Sequence, residues 1–180
     1  MDPELEILDK LLTDGAKIVC DNKKVILLEP EATDSKITIS QIPDDAIIIK
    51  CDQFKAPKSI FKGNSGECKR CDYILLFSYQ SKNYALFIEM KRGNRSSSAI
   101  KQQLIGGRCF LDYCCAILKH FHNVKKPFVG YNSRYVCFTK TFIDKRPTKQ
   151  ERSKTRSVHM KPEKFLKLSS ERYVPLGKLL

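Results

Sequence analysis

Residues 71–91 read Cys71-Asp-Tyr-Ile-Leu-Leu-Phe-Ser-Tyr79, then Gln80-Ser-Lys-Asn83, then Tyr84-Ala-Leu-Phe-Ile-Glu-Met-Lys91. Two apolar runs rich in β-formers, split by a short polar gap, predict a hairpin. A symmetric turn over 80–83 sets Tyr79 opposite Tyr84 and, further down the ladder, Asp72 opposite Lys91. Residues opposed in an antiparallel pair share a face, as do residues two apart on one strand, so Asp72, Glu89 and Lys91 emerge together. Opposed Cβ atoms lie about 5 Å apart and diagonal ones about 7–8 Å, close enough for two carboxylates to share one cation beside an ammonium. A run as apolar as Tyr84 to Ile88 is expected to be buried on both faces, where uncompensated charge is costly. The charges therefore need a partner. The alternative is an exposed strand end where Asp72 forms an ordinary, weak surface ion pair.

Downstream, Arg92-Gly-Asn-Arg95 leads to Ser96, Ser97 and Ser98, candidate caps for a long helix over 99–121. From Leu104 onward this helix is apolar nearly all round and is expected to be buried. Ala99, Gln103 and Gly106 form a small-residue stripe that would let it approach the hairpin, with Gln103 pointing toward Glu89. Lys101 and Arg108 make a second stripe, suited to phosphates or simply solvated. Upstream, Asp2 can cap a helix with Pro3 in its first turn and Leu5, Leu8, Leu11 and Leu12 at helical spacing, stopped at Asp14-Gly15. Glu4, Glu6 and Asp9 favour the positive end of its dipole, and one of them could face the site. Strands are predicted over 24–28, 36–40, 46–51 and 134–142. Residues 52–70 form a basic loop punctuated by Pro57 and Gly63-Asn-Ser-Gly66, containing Lys62, Lys69 and Arg70 and leading to Asp72. It reads either as a phosphate-binding segment or as a solvated connection. Beyond 144 the composition turns basic, with Arg152, Lys154 and Arg156 at alternate positions: a nucleic-acid-embracing arm or a loosely structured tail. This divides the chain into a domain over 1–143 and a basic extension over 144–180, packed on or beside it.

A chain of 180 residues suits one domain with a sizeable core. The 33 Lys plus Arg against 20 Asp plus Glu give a formal charge of +13, which points to a polyanionic partner such as nucleic acid. Eight cysteines behind an acidic N-terminus without a signal peptide suggest a reducing, cytoplasmic setting. No apolar run approaches the roughly 20 residues of a membrane span. Cys68-Lys-Arg-Cys71 has the spacing of half a zinc site, but His120 and His122 stand apart from it. Cys109, Cys114 and Cys115 read as core residues, His159 is isolated, and no glycine-rich phosphate loop is present.

The order helix, strands, Asp72, then Glu89-Met90-Lys91, then a helix with Gln103 resembles the PD-(D/E)xK nuclease superfamily, particularly its small prokaryotic members. The likeness covers about residues 2–142, and Cys71 stands where the motif name has proline. It implies a restriction-endonuclease-like α/β core: a mixed central sheet flanked by the N-terminal helix and the long helix after the ExK strand. It further implies a nuclease in prokaryotic or phage-related defence, restriction or recombination. Its catalytic residues would be Asp72, Glu89, Lys91 and Gln103, and Asp72, Glu89 and the Met90 carbonyl would hold Mg2+, with Mn2+ able to substitute. Lys62, Lys69, Arg70, Arg92, Arg95, Lys101, Arg108, Arg152, Lys154 and Arg156 would contact the nucleic acid, DNA favoured over RNA. Cutting both strands would call for a homodimer or a larger complex; no membrane is involved. The rival expectation is a non-cleaving nucleic-acid-binding module with the same fold.

Overall fold

The hairpin forms, and a mixed sheet is built outward from it. The computed structural model describes residues 2–29, 32–93, 96–140, 159–169 and 171–180, without the side chains of 29, 32–35, 92 and 140. In chain order the elements are α1 (Pro3–Leu11), β1 (Lys24–Glu29), β2 (Ala32–Ser40), β3 (Ile47–Lys50), β4 (Tyr73–Tyr79), β5 (Lys82–Arg92), α2 (Ser97–Phe121), β6 (Asn132–Lys140), β7 (Leu166–Ser169) and β8 (Tyr173–Pro175). One sheet runs β3-β4-β5-β6-β7 and a second β1-β2-β8. β5 is the switch in the larger sheet, antiparallel to β4 and parallel to β6, while β6 is parallel to β7. Among the described residues the protein is thus a mixed α/β structure with two α-helices and two mixed sheets.

The apolar residues of the hairpin sort by parity. Ile74, Leu76, Ala85 and Phe87 face Leu5 and Leu8 of α1 and Ile100, Leu104, Leu111 and Leu118 of α2. Leu75, Phe77, Tyr84, Leu86, Ile88 and Met90 face the small sheet through Val25, Leu27, Ile37, Ile39 and Val174. The central sheet is therefore covered on both sides, helices on one and the second sheet on the other, which explains strands without polar alternation.

The turn differs from the expected one. Tyr79 pairs with Lys82, not Tyr84, so the turn has two central residues rather than four. Gln80 and Ser81 both take positive φ, 47° and 58°, the backbone of a type I′ hairpin turn, whose twist matches that of the strands. The shift moves every partner by two residues and leaves each side chain on its predicted face.

Two further expectations are corrected. α2 is buried along a single stripe, from Ile100 and Leu104 through Gly107 to Leu118, whereas Ile105, Tyr113 and Phe121 are exposed. Cys114 is core, but Cys109 is exposed and Cys115 only partly covered. The arm or tail expected beyond 144 lies outside the described residues as far as 158; further on, β7 closes one edge of the large sheet, β8 lies parallel to β2, and Leu176 and Leu179 are buried. No helix among the described residues is long and apolar enough to cross a membrane.

Candidate active site

The site forms where β4 begins and β5 ends, beneath the N-terminal part of α2. β5 delivers Glu89 to its helix-facing side by alternation after Phe87. The ladder between β4 and β5 ends at the Tyr73–Ile88 pair, and Asp72 departs from it. Its N–H donates to the Ile88 carbonyl at 3.1 Å and its own carbonyl accepts from Cys51 N–H at 2.9 Å. Its carboxylate Oδ2, in place of a main-chain oxygen, accepts the Met90 N–H at 2.7 Å. Asp72 is therefore beside Glu89 and Met90, and the ladder does not set it opposite Lys91, because the shorter turn moves the register. The N–H and C=O of one strand residue point to the same side, which directs the Met90 carbonyl toward Asp72.

Glu89 has no exposed surface, and its Oε2 has no hydrogen-bond partner among the described residues. Lys91 Nζ lies 2.6 Å from Oε1 as an ion pair. Burial and the negative charge of Asp72 push the Glu89 carboxyl up to about 8, outweighing the lowering by Lys91. One ammonium thus compensates the buried acid incompletely. The same region contains two further buried thiols: Cys71, raised well above the usual thiol range chiefly by burial and by Cys51, and Cys137, paired across the sheet with Glu89 and pushed up to about 12, mainly by burial.

A cleft of about 700 Å³ opens above these groups, lined among others by Asp72, Met90, Lys91 and Gln103. Its other wall is the loop over 52–70, which is clamped rather than loose. The Glu67 carboxylate accepts N–H groups from Gly63 at 2.9 Å and Ser65 at 2.8 Å. Lys69 Nζ donates to Gln102 Oε1 at 2.6 Å, and Gln102 Nε2 donates to the Ser65 carbonyl at 3.2 Å. Gly106 permits this approach, since a Cβ there would sit 1.7 Å from the Lys69 carbonyl oxygen. Gly107, the next residue, fits against Cys71.

Of the basic residues expected to contact nucleic acid, Lys62, Lys69 and Arg70 line the cleft. Arg70 is partly committed to the fold, donating to the Cys51 carbonyl at 2.6 Å with its guanidinium 5.7 Å from the Phe54 ring centre. Lys101 pairs with Glu163 at 3.3 Å, and Arg108 with Asp112 at 3.0 Å and Ser133 at 3.1 Å. Both have protein partners away from the cleft. The Arg92 side chain and all of Arg95, Arg152, Lys154 and Arg156 lie outside the described residues. No acid of α1 joins the site: Glu4 accepts the Phe128 N–H at 2.7 Å, Glu6 pairs with Lys10, and Asp9 with Lys17. Lys58, Phe61 and Asp52 also line the cleft and were not singled out from sequence. The available signal was Phe54 and Phe61 interleaved with Lys55, Lys58 and Lys62, the pattern of a nucleic-acid surface.

Among the described residues no cluster of three or more His, Cys, Asp or Glu side chains could ligate a metal. What the chain offers is two carboxylates and a main-chain carbonyl. An oxygen-only set with a partly uncompensated buried Glu89 fits Mg2+, which keeps several waters and needs only one or two carboxylates. No family model matches this chain, and neither the curated proteins nor the solved structures contain a match to it.

Proposed function

We propose that the protein is a Mg2+-dependent nuclease of the PD-(D/E)xK type with a restriction-endonuclease-like core, acting on phosphodiester bonds. The observation that carries this reading is Glu89: fully buried, its Oε1 met by Lys91 and its Oε2 without a hydrogen-bond partner among the described residues, next to Asp72 and Lys91, which line a cleft. A stable fold gains nothing from such a group, because burying a carboxylate costs more than one imperfect ion pair returns. A site for a cation and a phosphate makes use of it. DNA is the favoured substrate, with Mn2+ able to replace Mg2+, and double-strand cutting would employ a homodimer or a larger complex.

In this reading Asp72, Glu89 and the Met90 carbonyl hold the metal. When bound, Mg2+ supplies Lewis-acid stabilisation of the phosphate and lowers the pKa of an attached water. Before loading, Lys91 lies against the Glu89 carboxyl. It then turns its ammonium to the scissile phosphate and the attacking water, where it stabilises growing negative charge. Gln103, on the cleft wall, orients that water or a phosphate oxygen by hydrogen bonding. The clamped loop excludes bulk water and holds the strand by its phosphates.

Cleavage of labelled DNA and RNA in Mg2+, Mn2+ and EDTA tests the proposal. Lys91→Ala is expected to slow metal-dependent cleavage about 10²- to 10³-fold, the usual range for losing one group that stabilises transition-state charge. A second readout is the thermal midpoint. Mg2+ should raise it in the wild type by mass action and fail to do so in Asp72→Asn. No metal-dependent cleavage together with no Mg2+ shift would sink the nuclease; salt-sensitive binding without cutting would leave the non-cleaving module.

A further inference from the structure

Resting on the nuclease reading, we infer that the cleft receives a single strand of nucleic acid, with one base stacked on Phe61 and the neighbouring phosphates held by Lys58 and Lys62. The catalytic groups are recessed. Glu89 is fully buried and the Lys91 side chain is 16% exposed, so the reacting phosphate must enter the cleft rather than touch a flat surface. A volume of about 700 Å³ is that of a small-molecule pocket, which spans roughly 300–1,000 Å³. It accommodates a nucleotide or two. The walls do not readily part to admit a duplex, because Glu67, Gln102 and the Gly106–Lys69 contact pin the loop to itself and to α2.

The rim has the chemistry of a single-strand site. Phe61 is 51% exposed and lines the cleft, flanked by exposed Lys58 and Lys62. The other aromatic of the loop, Phe54, is engaged with Phe110 and Tyr113 at 4.9 and 6.0 Å between ring centres. No ring covers Phe61 among the described residues. An exposed phenyl ring between lysines at the entrance to a phosphate-cleaving site has an obvious use in base stacking, which every base can provide and no intact duplex offers. DNA and RNA strands share this chemistry.

The test is fluorescence anisotropy in EDTA, so that binding is read without cleavage, on labelled oligo-dT, oligo-U of equal length and a hairpin-closed DNA duplex. The single strands are expected to bind more tightly than the duplex. Phe61→Ala should weaken single-strand binding roughly five- to hundred-fold, as loss of one stacking platform does, while Phe61→Trp retains it. Dependence on Phe61 with oligo-dT, with oligo-U or with both supports the inference. Duplex binding equal to that of both single strands, or single-strand binding indifferent to Phe61→Ala, would overturn the inference. Failure of the nuclease reading is separate: Phe61-dependent binding with no metal-dependent cleavage removes the enzyme and keeps the strand, whereas duplex cleavage with indifference to Phe61 does the reverse.

Discussion

The two faces of the β4–β5 hairpin are equally buried and differently used. Toward the small sheet, Leu75, Phe77, Leu86, Ile88 and Met90 form an apolar surface closed by Val25, Leu27, Ile39 and Val174. Its polar contribution is Tyr73, whose hydroxyl accepts the Leu28 N–H and donates to the Leu28 carbonyl. Toward the helices, Ile74, Leu76, Ala85 and Phe87 continue the same kind of core until Glu89, where a carboxyl is buried with one oxygen against Lys91 and the other without a hydrogen bond among the described residues. One hairpin thus carries a face closed chiefly by apolar contact and a face that stores an electrostatic cost. The first is what the fold requires. The second is tolerated because the remaining core is large enough, a pattern typical of sites where activity and stability conflict.

The comparison can be broken at either face, and the largest effect belongs to the purely structural one. Leu75→Ala removes a side chain with no exposed surface. It is expected to lower the unfolding free energy by about 2–5 kcal/mol, the range for a buried leucine leaving a cavity, as read from the midpoint of urea denaturation. The functional face should respond with the opposite sign. Glu89 is raised from 4.5 to about 8 in the folded protein, so between these values the native state binds a proton that the unfolded chain has released. The contribution of Glu89 to the stability of the metal-free protein is therefore full below about 4.5, declines as pH rises from there and is lost above about 8. Glu89→Gln should flatten that decline and stabilise the metal-free protein at the alkaline end by on the order of 1–2 kcal/mol. A variant that loses stability at pH above about 8 would mean that the Lys91 ion pair more than compensates the buried charge, and the contrast between the faces would disappear.

Much of this contrast was legible in the chain because side-chain direction in a strand has period two. The expected four-residue turn and the observed two-residue turn differ by an even number, so Glu89 and Lys91 stayed on the predicted face although every pairing moved. The turn itself was hidden, since Gln80-Ser81 lacks the glycine or asparagine that normally announces positive φ. Asp72 was legible as a residue but not as a geometry: its departure from the ladder depends on Cys51, Ile88 and Met90 together. β7 and β8 were missed for a related reason. Leu166–Ser169 and Tyr173–Pro175 are short and partly exposed, and what makes them strands is the free edges of β6 and β2, which only the folded sheet presents. The interleaving of Phe54 and Phe61 with lysines was legible, but not which ring is left open at the cleft: Phe54 packs against Phe110 and Tyr113 while Phe61 lines the cleft.

The smallest expected effect comes from the opposite end of the hairpin, where no functional group competes with the fold. Gln80 and Ser81 take left-handed backbone angles that cost a side-chain-bearing residue free energy and suit Asn-Gly. The double substitution Gln80→Asn with Ser81→Gly should stabilise the protein by about 0.5–1 kcal/mol, or about 1–4 °C in thermal midpoint for a chain of this size. It should leave metal-dependent cleavage unchanged. The sharper use of this variant is on register. A four-residue turn would return Asp72 to a position opposite Lys91, and Asn-Gly penalises that alternative by fixing the two-residue turn. If the variant were more stable but lost its Mg2+-induced thermal shift, the metal site would depend on the displaced register; retention of the shift ties the Asp72–Met90 hydrogen bond to the geometry that binds the cation.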